Sequence, residues 1–477
     1  MALILAFISA GPFLARIDPS NIGAEGIDVL YCSDNLAIAR IDGPMEGAEL
    51  LTIYHSEKTY LWVRPLHGSL ISNLTDVGRI IFTHGNDFLI ETDEATIEQL
   101  DLRHLMIARL RRTPIRLRSK PEMRKTPTFD PLVQQMVDAV DSMQIIDYVR
   151  TLQNGFFSRH SRTTGCSLAV AYVRDHFENL GYDSVYYHKY LSNYAPNVWA
   201  VKRGKQDDST YVICGHIDAV ISTGPIAYGA DDNASGSACV MEAARVMAGY
   251  EFKHRVVFIC FTGEEQGLYG SYYWCNAHQN DPMYGALNFD MIGWMDRPDR
   301  VAVISDYQSV WLMNFVDSCG SYYLPGFDIN AYVDPSARYS DHASFWNIGV
   351  AALCHIEDGN GWNPYYHTRG DTIGAGFNDL TFCWKNVKLG VASLASLAEP
   401  IGPKASETEK PVVERRRFPT IAYRFLIIPE GLKLTIYDAS GRKIMIKDKK
   451  RISLSGGIYF IEYTGKEDGL EKVVVIR

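Results

Sequence analysis

The stretch Gly229-Ala-Asp-Asp-Asn-Ala-Ser-Gly236 sets two acidic side chains among small ones. A tight turn suits that composition, because Gly229, Ala230, Ala234, Ser235 and Gly236 let backbone approach closely. A carboxylate in such a turn can be aimed inward at a cation instead of out at water. The apolar residues that follow (Val240, Ala243, Ala244, Met247) have helical spacing, so the turn lies at the mouth of a helix. Upstream stands His216-x-Asp218, and downstream Glu264-Glu265.

At 477 residues the chain is too long for one core, and length alone suggests about three domains. A net charge of -9 leaves no general basic surface and argues against nucleic acid as a partner. The nine cysteines form no zinc-knuckle spacing, and Cys214 and Cys260 read as buried small hydrophobes. Cys319 and Cys354 could pair in an oxidising compartment. The apolar stretch Ala2 to Ala15 is similar to the core of a secretory signal, expected within residues 1–20, but lacks a basic start. Its alternative is a first buried strand or helix. No other segment has the ~20 continuous apolar residues of a membrane span.

Residues 21–110 carry short alternating runs separated by turn residues such as Asp42-Gly43 and Gly85-Asn86, which predicts a β-rich prosegment or accessory module. Residues 111–130 are basic and proline-punctuated and read as a linker open to proteolysis. From 131 to 400 helix and strand alternate. One amphipathic stretch spans Leu132 to Leu152 and another Ser167 to Leu180, with apolar strands at Tyr211–Gly215, Arg255–Thr262, Ala286–Phe289 and Val350–Ile356. The expected class is α/β, a mostly parallel central sheet flanked by helices. Residues 401–417 read as a second linker, and 418–477 as a small β-sandwich.

Ligands in such sheets gather beyond the carboxyl ends of the strands. His216, Asp232, Glu264, Glu265, Asp290 and His367 fall at or past such ends. Alone, each is ordinary: a satisfied histidine, a turn aspartate, a solvated acidic pair. Together they offer five metal ligands and one carboxylate to spare. Two divalent ions ~3.5–4 Å apart need a shared carboxylate. Asp232 is the natural bridge, with His216 and Asp290 on one ion and Glu265 and His367 on the other. Nitrogen and oxygen donors without thiolate favour zinc, with cobalt or manganese as alternatives. Asp218 is placed to orient the His216 ring. Glu264 is expected to carry the proton from a metal-activated water to the leaving amine, and Tyr366 to donate a hydrogen bond to the oxyanion.

His216-x-Asp218, Gly229-Ala-x-Asp232-Asn-x-Ser-Gly236, Gly263-Glu-Glu265, Asn288-x-Asp290-Met-Ile-Gly293 and Tyr366-His-Thr368 occur in the order seen in metallopeptidase family 28. The chain resembles the secreted di-zinc aminopeptidases of that family over about residues 130 to 400. The resemblance implies the zinc aminopeptidase-like fold, two Zn2+ ions, peptide or protein substrates and the ligand and base assignments above. It also implies Asp232, not Asp231, as the bridge, followed by a cis peptide bond. Ser340-Asp-His342 is similar to another family segment near the substrate pocket, although Ser340 could simply cap a helix. The tail, with Leu434–Arg442, Gly457–Phe460 and Lys472–Val475, resembles a type IX secretion sorting domain. That implies export to the cell surface or beyond, and the secretion machinery as a partner.

Three other functions fit parts of this pattern. A glutaminyl cyclase-type acyltransferase would hold a single zinc. A carboxypeptidase would need basic residues in the pocket, and Arg338 and Arg369 lie near the motifs. A non-catalytic receptor-like module would have lost ligands or base, and none is lost. The specificity pocket is expected from loops around Trp294 to Tyr307 and Tyr322 to Tyr339.

Overall fold

The computed structural model describes residues 12–18, 21–22, 24–32, 36–65, 74–97, 105–110, 114 and 126–404 except 183, 207–208, 222–225 and 298–299, with short stretches between 421 and 476. The first module, with its short runs of strand-forming residues, folds into strands of which several are buried along most of their length. It forms β1 (Phe13–Ile17), β2 (Ile27–Cys32), β3 (Ala37–Ile41) and β4 (Ala48–Ile53), in the order β2-β3-β1-β4. A second sheet holds β5 (Thr59–Pro65), β6 (Arg79–His84), β7 (Asp87–Thr92) and β8 (Leu105–Arg109), in the order β6-β7-β5-β8. Every pairing in both sheets is antiparallel. Phe13, Leu14, Ala15 and Ile17 are buried in β1, which is paired on both sides. Residues 13–17 thus form a buried strand, while residues 1–11 of the stretch read as a leader lie outside the described ones. So does most of the predicted linker at 111–125.

The central sheet has eight strands: β9 (Val185–His188), β10 (Asn197–Lys202), β11 (Thr210–His216), β13 (Arg255–Phe261), β14 (Met283–Phe289), β15 (Arg300–Ser305), β16 (Asp328–Val333) and β17 (Ala351–Glu357). The short β12 (Tyr250–Phe252) pairs apart from it with β18 (Pro400–Pro403). The order is β16-β15-β17-β14-β11-β13-β10-β9. Pairs β13/β11, β11/β14, β14/β17 and β15/β16 are parallel. Pairs β10/β13, β9/β10 and β15/β17 are antiparallel. The sheet is thus mixed around a parallel core of four strands, with four parallel pairs against three antiparallel ones. Strands β15 and β16 occupy segments expected to be loops.

Both faces of the sheet are covered. Tyr211 and Ile213 of β11 pack in one apolar cluster with the helices Ala234–Met247 and Leu380–Ala398. Val212 and Cys214 pack in another, with Trp274, Phe345 and Trp346. Burial on two faces is why these strands read as continuous apolar runs. The helical stretch predicted as one element from 132 to 152 is two helices, Pro131–Asp138 and Ser142–Gly155. The break comes where Asp141 caps the second by accepting from Met143 N at 2.8 Å. Cys319 and Cys354 are free and buried, like the other six cysteines whose side chains are described, so the suggested pairing is not made. No described helix is long and apolar enough to cross a membrane. The described stretches after residue 420 form a five-stranded and a two-stranded sheet.

Candidate metal centre and active site

The parallel core aims its carboxyl edge at one place. His216 ends β11, Glu264 and Glu265 follow β13, Asp290 follows β14, and His367 comes from the segment after β17. Asp232 sits in the turn before the helix Ala234–Met247, and the Asp232–Asn233 peptide is cis. Gly229 has φ +53, where a side chain is strained, and a Cβ there would lie 2.3 Å from Asp232 O. At Gly236 a Cβ would lie 2.0 Å from Phe289 O, so the helix start can press against β14 only with glycine.

Asp232 lies between the two histidines. Its Oδ1 is 3.3 Å from His216 Nε2 and its Oδ2 3.1 Å from His367 Nε2. Glu265 Oε2 is 2.8 Å from His367 Nε2, and Asp290 Oδ1 is 3.3 Å from His216 Nε2. Possible ligand atoms gather within 4.8 Å of one another in two groups, His216 with Asp232 and Glu265, and His216 with Glu264 and Asp290. All six residues are buried. The predicted side chains therefore converge. The second group brings Glu264, expected as a free base, as near to His216 and Asp290 as a ligand.

The charges of this cluster do not balance by themselves. Burial pushes Glu265 up to about 7 and Glu264 well above the usual carboxylate range. Burial alone would lower His367, but Glu265 and Asp232 hold it up at about 10. His216 is likewise raised, against burial, by Glu264 and Asp290. Asp232 is held low by both histidines although burial opposes it. Buried carboxylates that must recruit protons to coexist are suited to a divalent cation, which supplies the missing positive charge. With imidazole and carboxylate donors and no thiol, the residues present fit zinc.

A supporting layer holds these groups. Asp218 Oδ2 accepts from Ser161 Oγ at 2.7 Å, and its carboxylate faces Glu264 N and Glu265 N at 3.4 Å each. His216 Nδ1 lies 3.2 Å from Asp218 O. Asp218 thus positions the acidic pair as well as the imidazole. Ser340 Oγ donates to Asp290 Oδ2 at 2.5 Å and accepts from Asn288 Nδ2 at 2.8 Å. It thus holds Asp290, a candidate ligand, and the helix His342–Asn347 has no side-chain cap, so the cap alternative drops out. Asp371 was not foreseen: its oxygens accept from Asp231 N at 2.8 Å and Asp232 N at 3.0 Å. Asp231 is turned away, accepting from Gly293 N at 2.7 Å and Asn363 Nδ2 at 2.9 Å. Arg159, also unforeseen, is fully buried and donates to the carbonyls of Ile217 and Gly229 at 2.7 Å each. An acidic residue four places after His367 was the one available signal for Asp371.

The cluster opens into a cleft of about 530 Å³. Tyr366 lines it with its ring stacked on His367, centroids 3.7 Å apart. Ile304, Tyr332 and Tyr339 line the far side, so the two segments expected to shape the pocket do so, partly as strands. Neither Arg338 nor Arg369 lines it.

Residues 197–381 match the model of peptidase family M28. The matched segment contains all six converging residues. A probable zinc metalloprotease of Pyrenophora teres f. teres is 32% identical over 191 residues, 34% of this chain and 39% of that one. A probable leucine aminopeptidase of Arthroderma otae is 30% identical over 183 residues, 35% of this chain and 48% of that one. The chain spans between about a fifth and a half of the length of such curated relatives. Among solved structures, the LapA aminopeptidase of Legionella pneumophila is similar in fold, with a TM-score of 0.59 at 20% identity over 72% of this chain and 98% of that one. LapB of the same organism gives 0.59 at 21% identity over 72% and 100%.

Proposed function

We propose that this chain is a zinc-dependent aminopeptidase that hydrolyses the first peptide bond of its substrates with two Zn2+ ions. The observation that carries the reading is the Asp232 carboxylate, which turns one oxygen to His216 and the other to His367. A bridging ligand needs that disposition, and a one-metal cyclase does not. His216 and Asp290 would hold one ion, Glu265 and His367 the other, and Asp232 both. Bound there, the ions supply Lewis acidity to the scissile carbonyl and to the attacking water. Glu264 takes the water's proton and delivers it to the departing amine. Tyr366, against His367, donates to the oxygen that gains charge. The peptidase-family match and the relatives named aminopeptidases support the same reading. An acidic cleft also suits a substrate ammonium beside the candidate metal ligands.

The test is a panel of free and N-acetylated peptides, with and without chelator, on the full chain and on Glu264→Gln. Free peptides should be cleaved and acetylated ones spared, and chelator should stop the reaction. Glu264→Gln should lose about a hundredfold or more of kcat while still binding zinc. Cleavage of acetylated peptides only, or near-normal turnover by Glu264→Gln, would reject the proposal. About one zinc per chain would favour the cyclase. Export through a type IX pathway is a second part of the proposal, supported only by the tail motifs. Deletion of residues 418–477 should then retain the enzyme inside the cell, and unchanged export would exclude it.

A further inference from the structure

The cleft has a wall that the peptidase-family segment does not supply. Arg64 and Pro65, at the end of β5, and Met106, in β8, line the same cavity as His216, Asp232 and Glu264. Among the lining residues Arg64 is the single lysine or arginine, and carboxylates predominate. Its guanidinium is fixed from several sides. Nε and Nη2 donate to the two oxygens of Asp87 at 2.6 and 2.8 Å. The ring of Tyr339, from the peptidase domain, lies 5.0 Å away, and its hydroxyl donates to Asp87 at 2.8 Å. Ser336 Oγ lies 3.4 Å from Nη2.

No described residue accepts a hydrogen bond from Nη1, and the side chain keeps 29% of its exposure. Asp87 therefore orients Arg64 without using its whole donor set. A guanidinium so held, half sheltered from water, is a receptor for a carboxylate. The cavity volume is in the range that encloses a drug-sized ligand, which a di- or tripeptide is. Such a peptide carries an ammonium at one end and a carboxylate at the other. With its ammonium among the acidic groups, its carboxylate must lie away from them.

We propose that Arg64 binds the C-terminal carboxylate of short peptide substrates, so that the N-terminal module is a specificity-determining wall of the active cleft. The inference rests on the aminopeptidase reading above. In this reading the module stays with the enzyme, because removing it would remove one end of the substrate site.

The experiment compares a free tripeptide with its C-terminal amide on the full-length wild type, Arg64→Gln and Arg64→Lys. The wild type should prefer the free acid. Arg64→Gln should raise KM for the acid about tenfold, leave the amide unchanged and keep kcat within about twofold. Arg64→Lys, which keeps the charge, should retain part of the preference. Equal losses on acid and amide would mean that Arg64 acts only through its packing on Asp87 and Tyr339, and would overturn the inference. So would an unchanged acid-to-amide ratio, or a lysine variant no better than glutamine. Failure of the wild type to cleave either peptide would instead sink the peptidase reading itself.

Discussion

Ser340 illustrates how much of the proposed metal site lies behind its candidate ligands. Its hydroxyl is the donor that holds Asp290 Oδ2, and Asn288 fixes the hydroxyl in turn. Replacing Ser340 with alanine leaves that oxygen without its donor and the ligand free to rotate. Zinc retention against a competing chelator should fall about 10- to 100-fold, with kcat largely restored at saturating zinc. A variant that holds zinc as tightly as the wild type would reduce Ser340 to packing. The candidate ligands were legible because chemistry restricts metal donors to few residue types, most of them here at or just past strand ends. Asp371 and Arg159 were not, since their partners are backbone groups brought near only by folding. For Ser340 two readings stood open, a place near the substrate pocket and a helix cap, and its bonds to Asp290 and Asn288 with its place in the cleft lining favour the first.

The turn and helix from Gly229 to Met247 work as one element. Asn233 accepts from Gly236 N at 2.8 Å and donates to Phe289 O at 2.9 Å, so the helix start is fastened to β14, whose end carries Asp290. A methyl group at Gly236 would meet that same carbonyl. Gly236→Ala should therefore cost about 1–3 kcal/mol in urea unfolding and weaken zinc binding as Asp232 and Asp290 separate. Gly249→Ala, where a Cβ meets nothing within 4 Å, is the control and should be near neutral. At this scale the sequence marked the strands β11, β13, β14 and β17, missed β15 and β16 in segments expected to be loops, and gave no sign of strand direction. A strand covered on both faces carries the same apolar run whether it lies parallel or antiparallel to its neighbour, so the antiparallel placing of β10 and of β15 left no mark.

Across the whole molecule, the first module grips the loop that carries Glu264 and Glu265. Leu268, just after that loop, is buried with Leu30, Trp62 and Leu110 of the module. Arg109 donates to both oxygens of Glu94 at 2.6 and 2.7 Å, and the Tyr269 hydroxyl accepts from Arg109 Nη2 and donates to Glu94 Oε2. Burial alone would raise Glu94, but Arg109 holds it down at about 2, against an ordinary 4.5. A carboxylate lowered on folding adds stability that is complete above about 4.5 and fades as pH falls towards about 2. The grip should loosen over that window, seen as rising protease sensitivity of residues 1–110, and Glu94→Gln should be weak at every pH. An unaltered acid response in that variant would assign the effect elsewhere. None of this was legible beforehand, because no motif connects Glu94 with Tyr269, 175 positions later in the chain.

The eight described cysteines are each sealed inside, and burial pushes Cys260 and Cys319 up to about 12. A thiol kept protonated and out of reach is a poor target for oxidants. The finished fold thus gains nothing from cross-links and risks little from air. The exposed moment is the newly made polymer, whose sulfurs are all reachable at once, and there rapid collapse is the defence.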